Sequence, residues 1–247
     1  MNIAQYLDST YLKTPSQSGL SEEETQKKVM ELVDEAIENN LFAVMIRPDY
    51  VKTVKDYILE KNENVVVGTV IGFHEGSYST EEKLTEAQKA IADGADELDF
   101  VINYEAYKRG ELDGVKNEFL QCTQLCLDNG KVAKWIIEIA ALTDEQIADL
   151  TSKIWSWAQE NFSEKDFSKI FVKSSTGFYE TEGGKPNGAT FEGIQIMLNN
   201  TGKLPVKAAG GVRTPDDAEK MIALGVQRIG TSSAAALLKN EKGNAGY

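Results

Sequence analysis

The stretch LPVKAAGGVRTPDDAEKMIALGVQRIGTSS, residues 204–233, holds one full cycle of the pattern that decides the fold. An apolar run carrying a lysine (205–208) leads to a glycine pair, then to a helix start, then to a second apolar run (228–230) that also ends in glycine. Thr214-Pro215-Asp216-Asp217 is the helix signal. It offers a hydroxyl cap, proline at the first helical position, and two acids facing the positive end of the helix dipole.

Outward from this unit the same alternation runs through the chain. Short apolar or β-branched runs stand at 41–46, 65–73, 97–102, 132–140 and 170–173, and 6–12 is the candidate for a first strand ahead of them. Helical spacing fills the segments between, at 21–39, 80–93, 114–129, 144–161, 190–199 and 214–224. In the first of these, Ser21 and the acids Glu22–Glu24 open a helix that sets Val29, Leu32, Val33, Ala36 and Ile37 on one face. Strands that are apolar nearly throughout, alternating with helices, indicate an α/β protein with a parallel sheet covered by helices. No linker or shift in composition divides residues 1–247, so they are read as one domain. Eight strands in 247 residues suit a (β/α)8 TIM barrel with a short N-terminal extension and a mobile C-terminal tail. An open dinucleotide-binding sheet fits less well, since the first strand–helix turn lacks G-x-G-x-x-G.

Composition narrows the partners. Lys and Arg number 26 against 39 Asp and Glu, a formal charge of −13, which argues against nucleic acid or an anionic membrane surface. A small anionic substrate stays possible, because a local cationic pocket can outvote the global charge. One histidine, His74, excludes a zinc site built on several imidazoles, and two cysteines cannot make a disulfide framework. Neither a basic leader followed by an apolar run nor an apolar stretch of membrane-spanning length is visible, so a soluble cytoplasmic protein is expected.

In such a barrel the chemistry sits at the carboxyl ends of the strands. Four polar residues break into apolar strands: Asp99, Glu138, Lys173 and Lys207. Any one alone reads as a strand-end charge reaching water. Two lysines on consecutive strands converge on one mouth, and that has a use. A lysine amine attacks a carbonyl only when unprotonated, and a second cation with partial desolvation lowers its pKa toward neutrality. The product is a Schiff base, which draws electrons from a neighbouring carbon–carbon bond while a carboxylate such as Asp99 moves protons. The glycine turns at Gly210-Gly211 and Gly230, with Arg213, Ser232 and Ser233, add an anion site after the last two strands.

At these residues the sequence resembles the deoxyribose-phosphate aldolase family, class I aldolases built on this barrel. The likeness covers nearly the whole chain. Its anchors are YLDSTYL (6–12), GADELDFVIN (94–103), IIE (136–138), FVKSSTG (171–177), KAAGGVRT (207–214) and GTSS (230–233). The resemblance implies reversible cleavage of 2-deoxy-D-ribose 5-phosphate to glyceraldehyde 3-phosphate and acetaldehyde, with no cofactor and no metal. It assigns the Schiff base to Lys173, perturbation of its pKa and proton transfer to Lys207, and general acid/base work through water to Asp99. Asp8, placed to pair with Lys207, and Thr10 match an N-terminal polar patch of the family site. Gly177, Gly210, Gly211, Arg213, Gly230, Ser232 and Ser233 match its phosphate-binding set. Tyr247 matches a C-terminal tyrosine that reaches back as a mobile proton donor in some members. Partners would be a sugar phosphate and aldehydes, in a homodimer.

Several positions depart from the family pattern. Phe178 stands where a Lys is frequent, which is expected to weaken phosphate binding or shift it toward backbone donors. Ser9 replaces a frequent His. His74-Glu75 stands where Pro and a small residue are common, so His74 is read as a loop residue. Met45 replaces a frequent Cys, so less inactivation by reactive aldehydes is expected. Cys122, Cys126 and Trp135 read as packing residues, as does one ring of the Trp155/Trp157 pair, and 185–187 as a strand–helix loop. Two other readings stand beside the aldolase: a Schiff-base barrel lyase for another phosphorylated sugar, and a non-catalytic sugar-phosphate binder. The intact Asp99, Lys173 and Lys207 set argues against the binder.

Overall fold

A computed structural model describes residues 2–239. Eight parallel strands close on themselves in sequence order: β1 (Leu7–Thr10), β2 (Ala43–Ile46), β3 (Val66–Ile71), β4 (Glu97–Val101), β5 (Val132–Ile136), β6 (Ile170–Lys173), β7 (Val206–Ala209) and β8 (Arg228–Thr231). The helices in chain order are α1 (Pro15–Ser18), α2 (Glu22–Glu38), α3 (Val51–Glu60), α4 (Thr80–Ala92), α5 (Tyr104–Lys108), α6 (Leu112–Asp128), α7 (Asp144–Asn161), α8 (Phe191–Asn200), α9 (Pro215–Leu224) and α10 (Ala234–Leu238). The barrel read from the alternation is therefore the fold found. No helix among the described residues is long and apolar enough to cross a membrane.

Helix starts follow local chemistry. Ser21, Ser79, Thr143 and Thr214 each accept from the third helical amide, and the side chain at that position returns to the cap, closing a capping box on α2, α4, α7 and α9. Helix α3 lacks such a local signal. It has no side-chain cap, and its buried face is Val51, Val54 and Ile58, whose branched side chains favour strands. The run 132–140 reads as one strand, yet β5 stops at Ile136, because Glu138 turns into the left-handed region at φ 54°. The first strand is shorter than its run, since Tyr6 ends a 3-10 turn that begins at Ile3.

Strand side chains pointing outward pack under the helices in one continuous core that includes Val44, Val67, Phe100, Trp135 and Ile229. Those pointing inward divide the interior. On one side Leu12, Met45 and Val70 form a separate apolar cluster with Phe73 and Phe178 against it. On the other, register brings charge beside charge, with Asp99 level with Lys134, Lys173 with Lys207, and Lys207 with Arg228. Cys122, Cys126 and Trp135 are fully buried, and Trp157 is the more buried of its pair, as expected of packing residues.

Candidate active site

Strands β4, β6 and β7 deliver the three residues singled out from the sequence to one point. The Asp99 Oδ2 oxygen lies 2.8 Å from Lys173 Nζ and 2.9 Å from Lys207 Nζ. Lys207 also meets Asp8 Oδ2 at 2.6 Å, the pairing the resemblance implied. All four side chains are buried, and Lys173 at 3% keeps the most exposure.

Below this point lie charges that sequence reasoning passed over. Lys134 bridges Asp99 Oδ1 at 2.9 Å and Glu97 Oε2 at 2.6 Å. Arg228 joins Glu97 Oε1 at 3.0 Å and donates to Asp8 Oδ1 from Nε at 2.7 Å. Arg228, Glu97, Lys134, Asp99, Lys207 and Asp8 thus form a closed ring of alternating sign, with Lys173 pendant on Asp99. Lys134 carried the same signal as Asp99, a charge inside an apolar strand. Glu97 and Arg228 stand first in their strands, where a charge does not interrupt an apolar run.

The ring decides which group loses a proton. Four cations face three carboxylates, so one positive charge is in excess when all are ionised. Burial alone would raise the Asp99 acid, but Lys134, Lys173 and Lys207 outweigh it and hold the carboxyl well below the usual range. Asp8 is lowered likewise, with Arg228 the leading cation against burial. Burial alone would lower Lys207, yet Asp8 and Asp99 reverse this and raise it. Lys173 has only a share of Asp99; burial, then Lys207 and Lys134, bring its pKa down to about 8. Lys173 is therefore the cation that yields.

Thr10 lies near the cluster, but its hydroxyl turns back to the Asp8 carbonyl at 2.9 Å. The hydroxyl of Ser9 is buried with no hydrogen-bond partner among the described residues. His74 lies in the loop after β3 and stacks on Phe178 with centroids 5.5 Å apart. Tyr247 lies outside the described residues.

The glycine set gathers in three neighbouring loops beyond β6, β7 and β8. Gly210 donates to the Gly230 carbonyl at 3.1 Å, and Ala189 donates to Ala209 and Gly210 carbonyls at 3.0 and 3.2 Å. Gly211, at φ 78°, admits no side chain, because a Cβ there would lie 2.5 Å from the Ala189 carbonyl oxygen. Gly177 sits at φ 81° with its carbonyl held by Asn187 at 2.9 Å. Arg213 is exposed at the head of α9, Ser232 is exposed, and Ser233 is buried with its amide donating to Thr231 Oγ1 at 3.1 Å. Such loops at strand ends present backbone amides to an anion.

A family model described as DeoC/LacD family aldolase matches residues 3–240. A deoxyribose-phosphate aldolase of Thermococcus kodakarensis is 40% identical over 238 residues, covering 96% of each chain. Among solved structures, one titled a putative deoxyribose-phosphate aldolase from Coccidioides immitis superposes with a TM-score of 0.79 at 30% identity, covering 96% of this chain and 85% of that one. The deoxyribose phosphate aldolase of Aeropyrum pernix, whose title describes a unique tetrameric structure, gives 0.76 at 28%, covering 96% and 89%.

Proposed function

The chain belongs to the DeoC/LacD family of aldolases, and from that premise we propose that it reversibly cleaves 2-deoxy-D-ribose 5-phosphate to glyceraldehyde 3-phosphate and acetaldehyde. The observation that carries this reading is the sharing of Asp99 Oδ2 by Lys173 and Lys207, with Lys173 the amine that yields its proton.

In the proposed sequence the neutral Lys173 amine adds to the aldehyde carbon of the open-chain sugar, and the carbinolamine loses water to give an iminium. Loss of the proton from the C3 hydroxyl lets the C2–C3 bond break. Its electrons pass to the iminium as an enamine, and C3 leaves as the aldehyde of glyceraldehyde 3-phosphate. Protonation of the enamine at C2 and hydrolysis of the resulting iminium release acetaldehyde and restore the amine. Asp99 and Lys207 supply and collect these protons, Asp99 through water, while Asp8 holds Lys207. Gly177, Gly210, Gly211, Gly230, Arg213, Ser232 and Ser233 receive the phosphate, and Thr10 and Tyr247 complete the proposed set. The enzyme works as a homodimer in the cytoplasm and takes no cofactor, metal or nucleic acid.

The test is to incubate the protein with acetaldehyde, add borohydride, and map the adduct by peptide mass spectrometry. A reduced ethyl group on Lys173, lost in K173A and diminished in K207L, supports the reading. No adduct on folded protein that still binds a sugar phosphate would overturn it and leave the binder.

A further inference from the structure

Glu138 is a charge ending an apolar run, and the proposed chemistry gives it no task. Its backbone is unusual. Asn40, Asn62 and Glu138 are the non-glycine residues with positive φ among those described, and asparagine tolerates that region where a glutamate does not. Something must hold Glu138 there.

The cause is a bulge. The Ile137 amide donates to the Lys173 carbonyl at 3.0 Å, and the Ile139 amide donates to Ser174 at 2.9 Å. Two donors two residues apart meet carbonyls of consecutive residues, so Glu138 is the extra residue on its side of the β5–β6 seam. A bulge re-aims a side chain, and this one carries the Glu138 carboxylate over the segment that follows Lys173. The Oε2 oxygen accepts from the Thr176 amide at 3.0 Å and from the Thr176 hydroxyl at 2.5 Å. Thr176 Oγ1 in turn accepts from the Phe178 amide at 3.0 Å.

Ser174 and Gly177 in this segment are held by further contacts. Ser174 Oγ accepts from the Ala209 amide at 3.0 Å, tying it to β7, and Asn187 holds the Gly177 carbonyl. Glu138 is fully buried, and burying a carboxylate away from any cation contact is costly. Its acid rises to about 7 as a result of that burial. Two hydrogen bonds to one loop residue would be a poor return if they only filled space. They fix instead the one segment that joins Lys173 to Gly177.

We propose that Glu138 is a positioning residue of the reaction, which through Thr176 locks residues 174–178 so that the Gly177 turn is set to receive the phosphate of the substrate. The inference rests on the reading that this loop takes a phosphate. It concerns alignment and adds no step to the chemistry.

The experiment compares T176V, which removes the hydroxyl at nearly constant shape, with T176S, which restores it, and with E138Q. The substrates are 2-deoxyribose 5-phosphate and unphosphorylated 2-deoxyribose. T176V is expected to raise KM for the phosphorylated sugar about tenfold, near the value of one charge-assisted hydrogen bond, with kcat within about twofold. Its kcat/KM on the unphosphorylated sugar stays within about twofold of wild type, T176S returns KM to the wild-type value, and E138Q falls between. Equal losses on both sugars, or no rescue by T176S, overturn the proposal. Calorimetric titration with inorganic phosphate reads the same loop without turnover, and T176V should bind about tenfold more weakly than wild type. Equal affinity in the two, or no phosphate binding by wild type, also overturns it. Wild type that binds phosphate in this way but fails to cleave the sugar would sink the aldolase reading and leave the role of Glu138 standing.

Discussion

Lys173 and Lys207 meet the same oxygen, Asp99 Oδ2, at 2.8 and 2.9 Å, yet among the described residues only Lys207 has a second carboxylate, Asp8, at 2.6 Å. That asymmetry makes one amine a fixed cation and the other a group able to lose its proton near neutrality. Without it, two buried lysines on one carboxylate would be chemically alike.

The rate should follow the Lys173 amine. Its pKa of about 8 means that kcat/KM rises as pH climbs through about 8 and the neutral form accumulates. In K207M, Lys173 has Asp99 with less competition and loses a repelling cation, so its pKa rises. The ascending limb then moves up by about one unit or more, with a fall of at least about tenfold at pH 7. A pH–rate profile of both proteins checks this, and an unmoved limb in K207M would contradict it.

Losing the Lys173 amine should stabilise the fold. The folded pKa of Lys173 lies below its ordinary 10.5, so between about 8 and 10.5 the unfolded chain binds the extra proton. The resulting penalty is present in full below about pH 8 and fades as pH rises toward 10.5. K173M removes the excess cation and leaves Asp99 paired with Lys134 and Lys207. At pH 7 it should be inactive and more stable by on the order of 2 kcal/mol, the gap closing near pH 10.5. Urea denaturation at pH 7 and 10 reads the difference, and a less stable K173M at pH 7 would sink the charge count.

Arg228 should matter for folding more than its distance from Lys173 suggests. It is buried, holds Asp8 and Glu97, and lies over the Phe42 ring at 3.7 Å. R228M strands carboxylates inside the barrel, which typically costs about 3–5 kcal/mol. Denaturant midpoints measure that loss. Activity should fall with it, since Asp8 is freed to draw on Lys207. A variant within about 1 kcal/mol of wild type would show the ring to be incidental.

Reactive aldehydes should spare this enzyme. Burial pushes the Cys122 thiol up to about 12 and raises Cys126 further, so neither supplies a thiolate near neutrality. Met45 is buried in the apolar cluster beside Phe73 and Phe178, at the edge of the mouth. M45C puts a thiol there and should lose activity faster in concentrated acetaldehyde, with mass spectrometry locating the adduct on the new cysteine. Equal, thiol-independent loss in both proteins would count against this.

Much of this protein is legible in its residues taken a few at a time. Apolar runs alternating with capped helices are local patterns, and eight of them admit few arrangements besides a barrel. A lysine or aspartate breaking an apolar strand is local too, which is why Asp99, Glu138, Lys173 and Lys207 stood out at once. Helix α3 escaped because its signal is not local: it lacks a cap, and packing against the barrel overrides its strand-favouring valines.

The charges that surround Lys173 needed the closed structure. Arg228 and Asp8 are 220 residues apart, and they touch because β8 pairs with β1 to close the barrel. The relative height of neighbouring strands decides whether Lys134 reaches Asp99, and hydrophobic patterning within one strand carries no record of that height. Glu138 shows the same limit at short range. Its presence was plain, but its direction came from a one-residue bulge against β6, and strand register is a property of two segments rather than one. The sequence alone therefore determined the barrel and which charged residues interrupt its apolar strands. The tertiary structure decided which lysine has its pKa lowered, because that depends on electrostatic balance among groups brought together only by closure.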